Sequence, residues 1–194
     1  NVLAANHFET YRQWQKINHS IDPNEWDMPP QSVNAYYDVA LNQINIPLGI
    51  LQKPFFDLQA PDAINYGGIG VVIGHEIFHG FDDEGAQFDA HGKLHFWWTP
   101  NEWHIYQGKI QCVIRQFSSY KIPGSENHLN GKLVSGEAIA DLGGVQLAYN
   151  ALMKIKPRSS EALEHFSPAQ QFFIGFAHIW ASKIRNEESI RKGH

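Results

Sequence analysis

Cysteine is almost missing from this chain. Cys112 stands alone among 194 residues, so no internal disulfide can brace the fold, and a solitary thiol reads as a small buried apolar side chain. Long apolar runs are missing too. None approaches the ~20 residues a membrane-spanning helix needs, and no secretory hydrophobic segment opens the chain, so this segment offers no membrane contact. Charge of one sign never accumulates. The 15 Lys and Arg set against 20 Asp and Glu leave a formal charge of -5 with no block of either kind, which argues against a nucleic-acid partner. Internal repeats and low-complexity tracts are absent. Asn1 stands where an initiator methionine would, as expected of a chain processed or excised from something longer. What remains, 43% apolar residues of which many are aromatic, suits one folded domain with a real core.

The most informative stretch is the apolar run from Val71 to Phe81, which holds His75-Glu76-Ile77-Phe78-His79. On a helix, residues four apart share a face, so both imidazoles can grip one ion. Glu76 sits one step round, placed to work on a water at that ion rather than to replace a ligand. Two surface histidines flanking a glutamate is the bland alternative. The apolar bracket argues against it, because histidines beside a carboxylate in an apolar wall need partners.

Two histidines hold zinc poorly, and a catalytic zinc normally takes three protein ligands and leaves one position to water. Glu137, within Gly136-Glu137-Ala138-Ile139-Ala140-Asp141, is the best third candidate. Asp141 lies on the same helix face, so one carboxylate can ligate while the other accepts the free ring N–H of a ligand histidine. His91 and His95 are also four apart, but Gly92 breaks the interval in a predicted loop, and they read as surface residues. His104, His128, His165 and His178 are isolated, and Cys112 has no nearby Cys or His partner.

Around these residues the chain divides into elements. A helix is predicted over residues 2–19, then a loop marked by Asp22-Pro23 and Pro29-Pro30, then one or two strands within Ser32 to Ile46 turning near Ala40–Asn42. Ile50, Leu51, Phe55 and Phe56 form an apolar cluster whose default role is core packing. Asp62 is the expected N-cap of the motif helix, in which Gly67, Gly68, Gly70 and Gly74 each cost about 0.8–1 kcal/mol relative to Ala, a concentration that implies close approach of backbone or substrate. A loop runs from Asp83 to Trp98. Thr99-Pro100-Asn101-Glu102 opens a helix reaching about Tyr120, Ser135 caps another to about Met153, Lys156 to Ser160 is a linker, and Ser167-Pro168 starts a last helix to about Arg185.

Three blocks, Val33-Asn34-Ala35-Tyr36-Tyr37, His75 through Asp83 and Gly136 through Gly144, together resemble the neprilysin family of zinc endopeptidases, peptidase family M13. The absence of disulfide cysteines is closer to its bacterial, oligopeptidase O-like branch. The resemblance implies an α+β, mainly helical, thermolysin-like zincin catalytic domain, with a small sheet whose edge lies along the cleft. It implies one Zn2+ per chain held by His75, His79 and Glu137, with Glu76 as general base. Asp141 would orient His75 and Asp82 would orient His79. A proton-donor role is sometimes given to the Asp141 position, but a carboxylate beside a zinc-bound imidazole should stay ionised. Asn34 and Ala35, on the edge strand, would bind the substrate backbone as an added strand. Phe55, Val72, Ile179 and Trp180 match positions lining the pocket for the residue after the scissile bond, so oligopeptides cut before large apolar residues are the implied substrates. Core packing remains an equal account of those four.

Family members are several times longer. An N-terminal lid domain of the same parent chain, and a downstream His and Arg that stabilise the oxyanion, would fall outside residues 1–194; His194 is not that histidine. An oxyanion donor is worth roughly 10²–10³ in rate, so this stretch alone is expected to bind zinc with weak or no turnover. Two other readings compete: a structural zinc closed by a fourth protein ligand, and a scaffold that lost its metal. The sequence carries no address, and a bacterial cytoplasmic parent and a secreted or cell-surface one fit equally.

Overall fold

The computed structural model describes residues 1–20, 22–155, 157, 163, 165–185, 187, 188 and 191. Most of the linker read from Lys156 to Ser160, and His194, lie outside them. Helices dominate: α1 (Val2–Gln15), α2 (Asp62–Asn65), α3 (Val71–His79), α4 (Pro100–Ser118), α5 (Ser135–Leu152) and α6 (Pro168–Ile179). A two-stranded antiparallel sheet joins β1 (Tyr36–Asp38) to β2 (Gln43–Asn45), with Tyr36 opposite Asn45 and Tyr37 opposite Ile44. The Asp38 carboxylate accepts from the amides of Ala40 and Leu41, and Asn42 takes a positive φ of 49°, which together turn the chain where the sequence places a turn.

The motif helix is interrupted. Between α2 and α3, Tyr66–Gly70 forms a widened π turn in which Gly68 leaves helical geometry. The glycines there admit neighbouring backbone: a Cβ on Gly68 would collide with the Phe55 carbonyl, and one on Gly67 with the Phe172 carbonyl of α6. Ile69 N–H donates to the same Phe55 carbonyl at 2.8 Å. Farther on, α3 and α5 cross backbone to backbone. A Cβ on Gly74 would lie 2.8 Å from Gly144 Cα, and one on Gly144 would lie 2.6 Å from His75 N. Close approach of backbone is thus what Gly67, Gly68 and Gly74 serve, whereas a Cβ on Gly70 would make only ordinary contacts. The core beneath is built from Ala63, Val71, Ala148, Leu152 and Phe172, with Tyr149 and Phe176 packed against it.

Two helix starts obey the sequence closely. Thr99 and Glu102 make a reciprocal capping box at α4, Ser167 and Gln170 make another at α6, and a proline follows each cap. Other expectations need correction. Asp62 and Ser135 are the first residues of their helices, not the caps, which are Pro61 and Val134. α1 stops at Gln15 rather than continuing to residue 19, as Asn18 turns left-handed at φ 70°, and the helix buries nothing. α6 stops at Ile179 rather than near Arg185, because residues 181–185 are all exposed and no packing sustains further turns. Cys112 lies on the open side of α4, exposed rather than buried. Leu51 is likewise exposed, while Ile50 is in the core. Asn34 and Ala35 lie immediately upstream of β1 rather than within a paired strand.

Candidate active site

The Gly74–Gly144 crossing sets α3 directly against α5, and the chemistry sits along that seam. His75 and His79 project together from α3, their rings edge to face at 4.5 Å between centroids. Each is oriented by its own carboxylate: His75 Nδ1–H donates to Asp141 Oδ1 at 2.8 Å, and His79 Nδ1–H donates to Asp82 Oδ2 at 2.7 Å. Asp82 is buried and held in turn, its other oxygen accepting from the amides of Glu84 (2.9 Å) and Gly85 (2.7 Å).

With both Nδ1 positions committed as donors, the two Nε2 lone pairs face each other at 2.9 Å. Glu137 Oε2 completes a triangle, 3.3 Å from His75 Nε2 and 3.9 Å from His79 Nε2. Three electron-pair donors packed this closely repel one another unless a cation lies among them. Ligands about 2.0–2.1 Å from a tetrahedral zinc stand roughly 3.3 Å apart, which the triangle matches on average. Two imidazoles and one carboxylate are also the donor types a catalytic zinc takes, so the residues fit the ion. Among the described residues, no other group of His, Cys, Asp and Glu brings three such atoms within 4.8 Å of one another. His91, His95, His104, His128, His165 and His178 are all exposed on other parts of the surface, as the sequence implies.

The charges report the same imbalance. Burial alone would lower the pKa of His75, but the bonds to Asp141 and Glu137 outweigh it and push the ring up to about 10. The Asp82 bond raises His79 against burial and the neighbouring His75. Glu137 is held below its ordinary value, chiefly by His75. Without a divalent ion the pocket would gather protons in its place. Glu76 behaves differently. It is buried beside the triangle, accepts from the Tyr37 amide, and is raised mainly by desolvation, the direction that makes a carboxylate a better base.

Two cavities meet at these donors and share Asn34, His75, Glu76 and Glu137. The smaller, about 240 Å³, is walled by Phe55, Val72, Ile179 and Trp180, so the four residues named from the resemblance do come together, beside Val33 and Ile50. The larger, about 510 Å³, lies between β1 and the turn after α3. Asn34 is exposed and Ala35 buried at the lip between them.

Several contributors escape sequence reasoning. Tyr106 Oη–H of α4 donates to the Phe81 carbonyl at 2.7 Å and Trp98 Nε1–H, just ahead of the α4 cap, to the Ala86 carbonyl at 2.8 Å, strapping down the segment that carries Asp82. Burial raises the Tyr106 phenol, which keeps it a donor. The aromatic spacing Trp103–Tyr106 behind a capping box was the available signal. Asp83 sits against the start of α5, where Ser135 Oγ–H reaches its carboxylate at 3.4 Å, and a Cβ on Gly136 would approach that carboxylate to 2.8 Å.

Known proteins resemble this chain in sequence and in fold. Residues 34–194 match the model described as peptidase family M13. Neprilysin-11 of Caenorhabditis elegans is 40% identical over 93% of this chain and 22% of its own length. The endothelin-converting enzyme homolog of Locusta migratoria is 40% identical over 96% of the chain and 26% of its own. In three dimensions, the zinc metalloprotease Zmp1 of Mycobacterium tuberculosis, crystallised with an inhibitor, superposes at a TM-score of 0.86 with 41% identity, covering 93% of this chain and 28% of that one. The chain therefore spans about a quarter of the length of the curated relatives it matches.

Proposed function

The chain belongs to peptidase family M13, and from that premise we propose that it carries the catalytic centre of a zinc-dependent endopeptidase acting on oligopeptides. The observation that supports this most is the arrangement of His75, His79 and Glu137, whose electron pairs converge with the buried Glu76 alongside but outside the triangle. Zinc at those three residues would polarise the scissile carbonyl and lower the pKa of a water at the fourth position. Glu76 takes the proton of the attacking water and returns it to the departing amine nitrogen. Asp141 and Asp82 fix the ring tautomers so that both Nε2 atoms stay available. Asn34 and Ala35 bind the substrate backbone beside β1. The apolar cavity of Phe55, Val72, Ile179 and Trp180 receives a large apolar side chain on the C-terminal side of the cut bond.

A structural zinc would be closed by a fourth protein ligand, and among the described residues only three donors gather. The test pairs metal content with chelator-sensitive cleavage of a peptide bearing Phe or Leu after the scissile bond. Glu76→Gln should retain about one zinc per chain and lose turnover, whereas His79→Ala should lose both. Full cleavage by the zinc-loaded Glu76→Gln protein would refute the assignment.

A further inference from the structure

The two cavities that meet at the donors differ in character. Beyond the shared residues the smaller is walled by apolar side chains, its one further carboxylate being Asp141, which is tied to His75. The larger has apolar walls from Met28, Val39 and Phe88, but every charged or titratable group on it other than the tyrosines and the two histidines is a carboxylate: Glu76, Asp82, Glu84 and Glu137. Among the described residues no Lys or Arg lines it. Three of these carboxylates are committed. Glu76 is buried with its amide donor, Asp82 is tied to His79 and two amides, and Glu137 faces both imidazoles. Glu84 is not. It is exposed at the rim, and its carboxylate makes no hydrogen bond or ion pair among the described residues.

We propose that the larger cavity holds the substrate side chain on the N-terminal side of the cut bond, and that Glu84 selects a basic residue, Lys or Arg, at that position. The inference rests on the peptidase reading above. A peptide that crosses the donors with its following side chain in the smaller cavity directs its preceding one into the larger, because the two cavities share the residues at the donors and diverge from there. Lys and Arg suit that space in two ways: their methylene stems lie along apolar walls, and their heads reach a carboxylate at a wet rim. An acidic side chain in the same place would add to carboxylates already crowded around the site.

The test uses quenched-fluorescent peptides with Leu after the scissile bond and Arg, norleucine or Glu before it. Since Glu84 is exposed, its pull is modest: kcat/KM for Arg should exceed that for norleucine by about fivefold and that for Glu by more, with the margin shrinking as salt is raised. Glu84→Gln should abolish the Arg advantage and Glu84→Lys should reverse it. Anisotropy of the same peptides bound to the zinc-loaded Glu76→Gln protein should give the same order without turnover. Equal values for the three peptides, or a preference that Glu84→Lys leaves in place, overturns the proposal. Because this stretch alone is expected to turn over weakly or not at all, the binding order decides the Glu84 assignment, whereas cleavage by the zinc-loaded Glu76→Gln protein at the level of the unmutated chain would sink the peptidase reading instead.

Discussion

Adding one methyl group at Gly144 should unsettle the metal centre from the far side of a helix. The new Cβ would lie 2.6 Å from His75 N, 2.9 Å from Val71 O and 3.0 Å from His75 Cα. Relaxed carbon contacts sit near 3.5–4 Å, so α3 and α5 must part by roughly 1 Å, and the obstacle is backbone that cannot swing aside. Overpacking of this kind costs about 1–3 kcal/mol, partly offset by the ~1 kcal/mol that Ala gains over Gly in a helix. The same displacement carries Glu137 and Asp141 away from His75, from which they stand 3.3 Å and 2.8 Å. A site loosened by that much should lose about 10–100-fold in zinc affinity. Gly108→Ala in α4 is the control, since a Cβ there meets nothing within 4 Å. It should raise stability by about 0.4–1 kcal/mol and leave zinc affinity alone. Chelator competition and denaturant unfolding of both variants read the two effects separately. If Gly144→Ala binds zinc within twofold of the parent and is as stable as Gly108→Ala, the crossing does not govern the site.

Two further outcomes follow from the carboxylates. Asp141→Asn keeps an oxygen for the His75 N–H but removes the charge, and should weaken zinc by about 10–100-fold in chelator competition; unchanged affinity would remove Asp141 from the site's support. For pH, the His75 value near 10 in the metal-free fold exceeds its ordinary ~6.5, so its pairing stabilises that fold fully below about 6.5 and is lost as pH rises through about 10. Zinc has the opposite dependence. It must displace the His75 proton, so affinity should climb up to about tenfold per pH unit between pH 6 and 8, with proton release seen by calorimetry in two buffers. Binding with no proton release would show that His75 is not a ligand.

Much of the site was legible because its signals are local. His75 and His79 share a face by helical period, and the carboxylate pair at Glu137 and Asp141 does likewise, so each half announces itself in a few residues. Where the two helices meet is a tertiary matter, of which the costly Gly74 was the one local sign, since glycine lets backbones come this close. The caps divided along the same line. Thr99 and Ser167 were readable because the cap, the proline and the reciprocal side chain all fall within four residues. Asp62 and Ser135 misled, since a polar residue beside an apolar run looks like a cap whether or not its side chain reaches the amides. The π turn, the straps from Tyr106 and Trp98, and the larger cavity were hidden, because each depends on residues distant in the chain that no periodicity connects.

The distribution of the carboxylates decides what the site is. Asp82 arrives from the segment after α3, pinned by two amides of its own turn, whereas Asp141 and Glu137 arrive from α5. His79 is therefore oriented from its own end of the chain, and His75 only once α5 has docked. An ion held by His75, His79 and Glu137 would tie α3 to α5 across the glycine crossing, so that metal binding and helix docking would stabilise one another. Removing zinc should accordingly loosen that seam, visible as faster amide exchange along α5 near Glu137 and Asp141, while α4, held by its own capping box and by aromatic contacts away from the donors, keeps its protection. Equal loosening of α4 and α5 would mean that the ion supports the whole fold rather than the seam, and the catalytic reading would lose ground to a structural one.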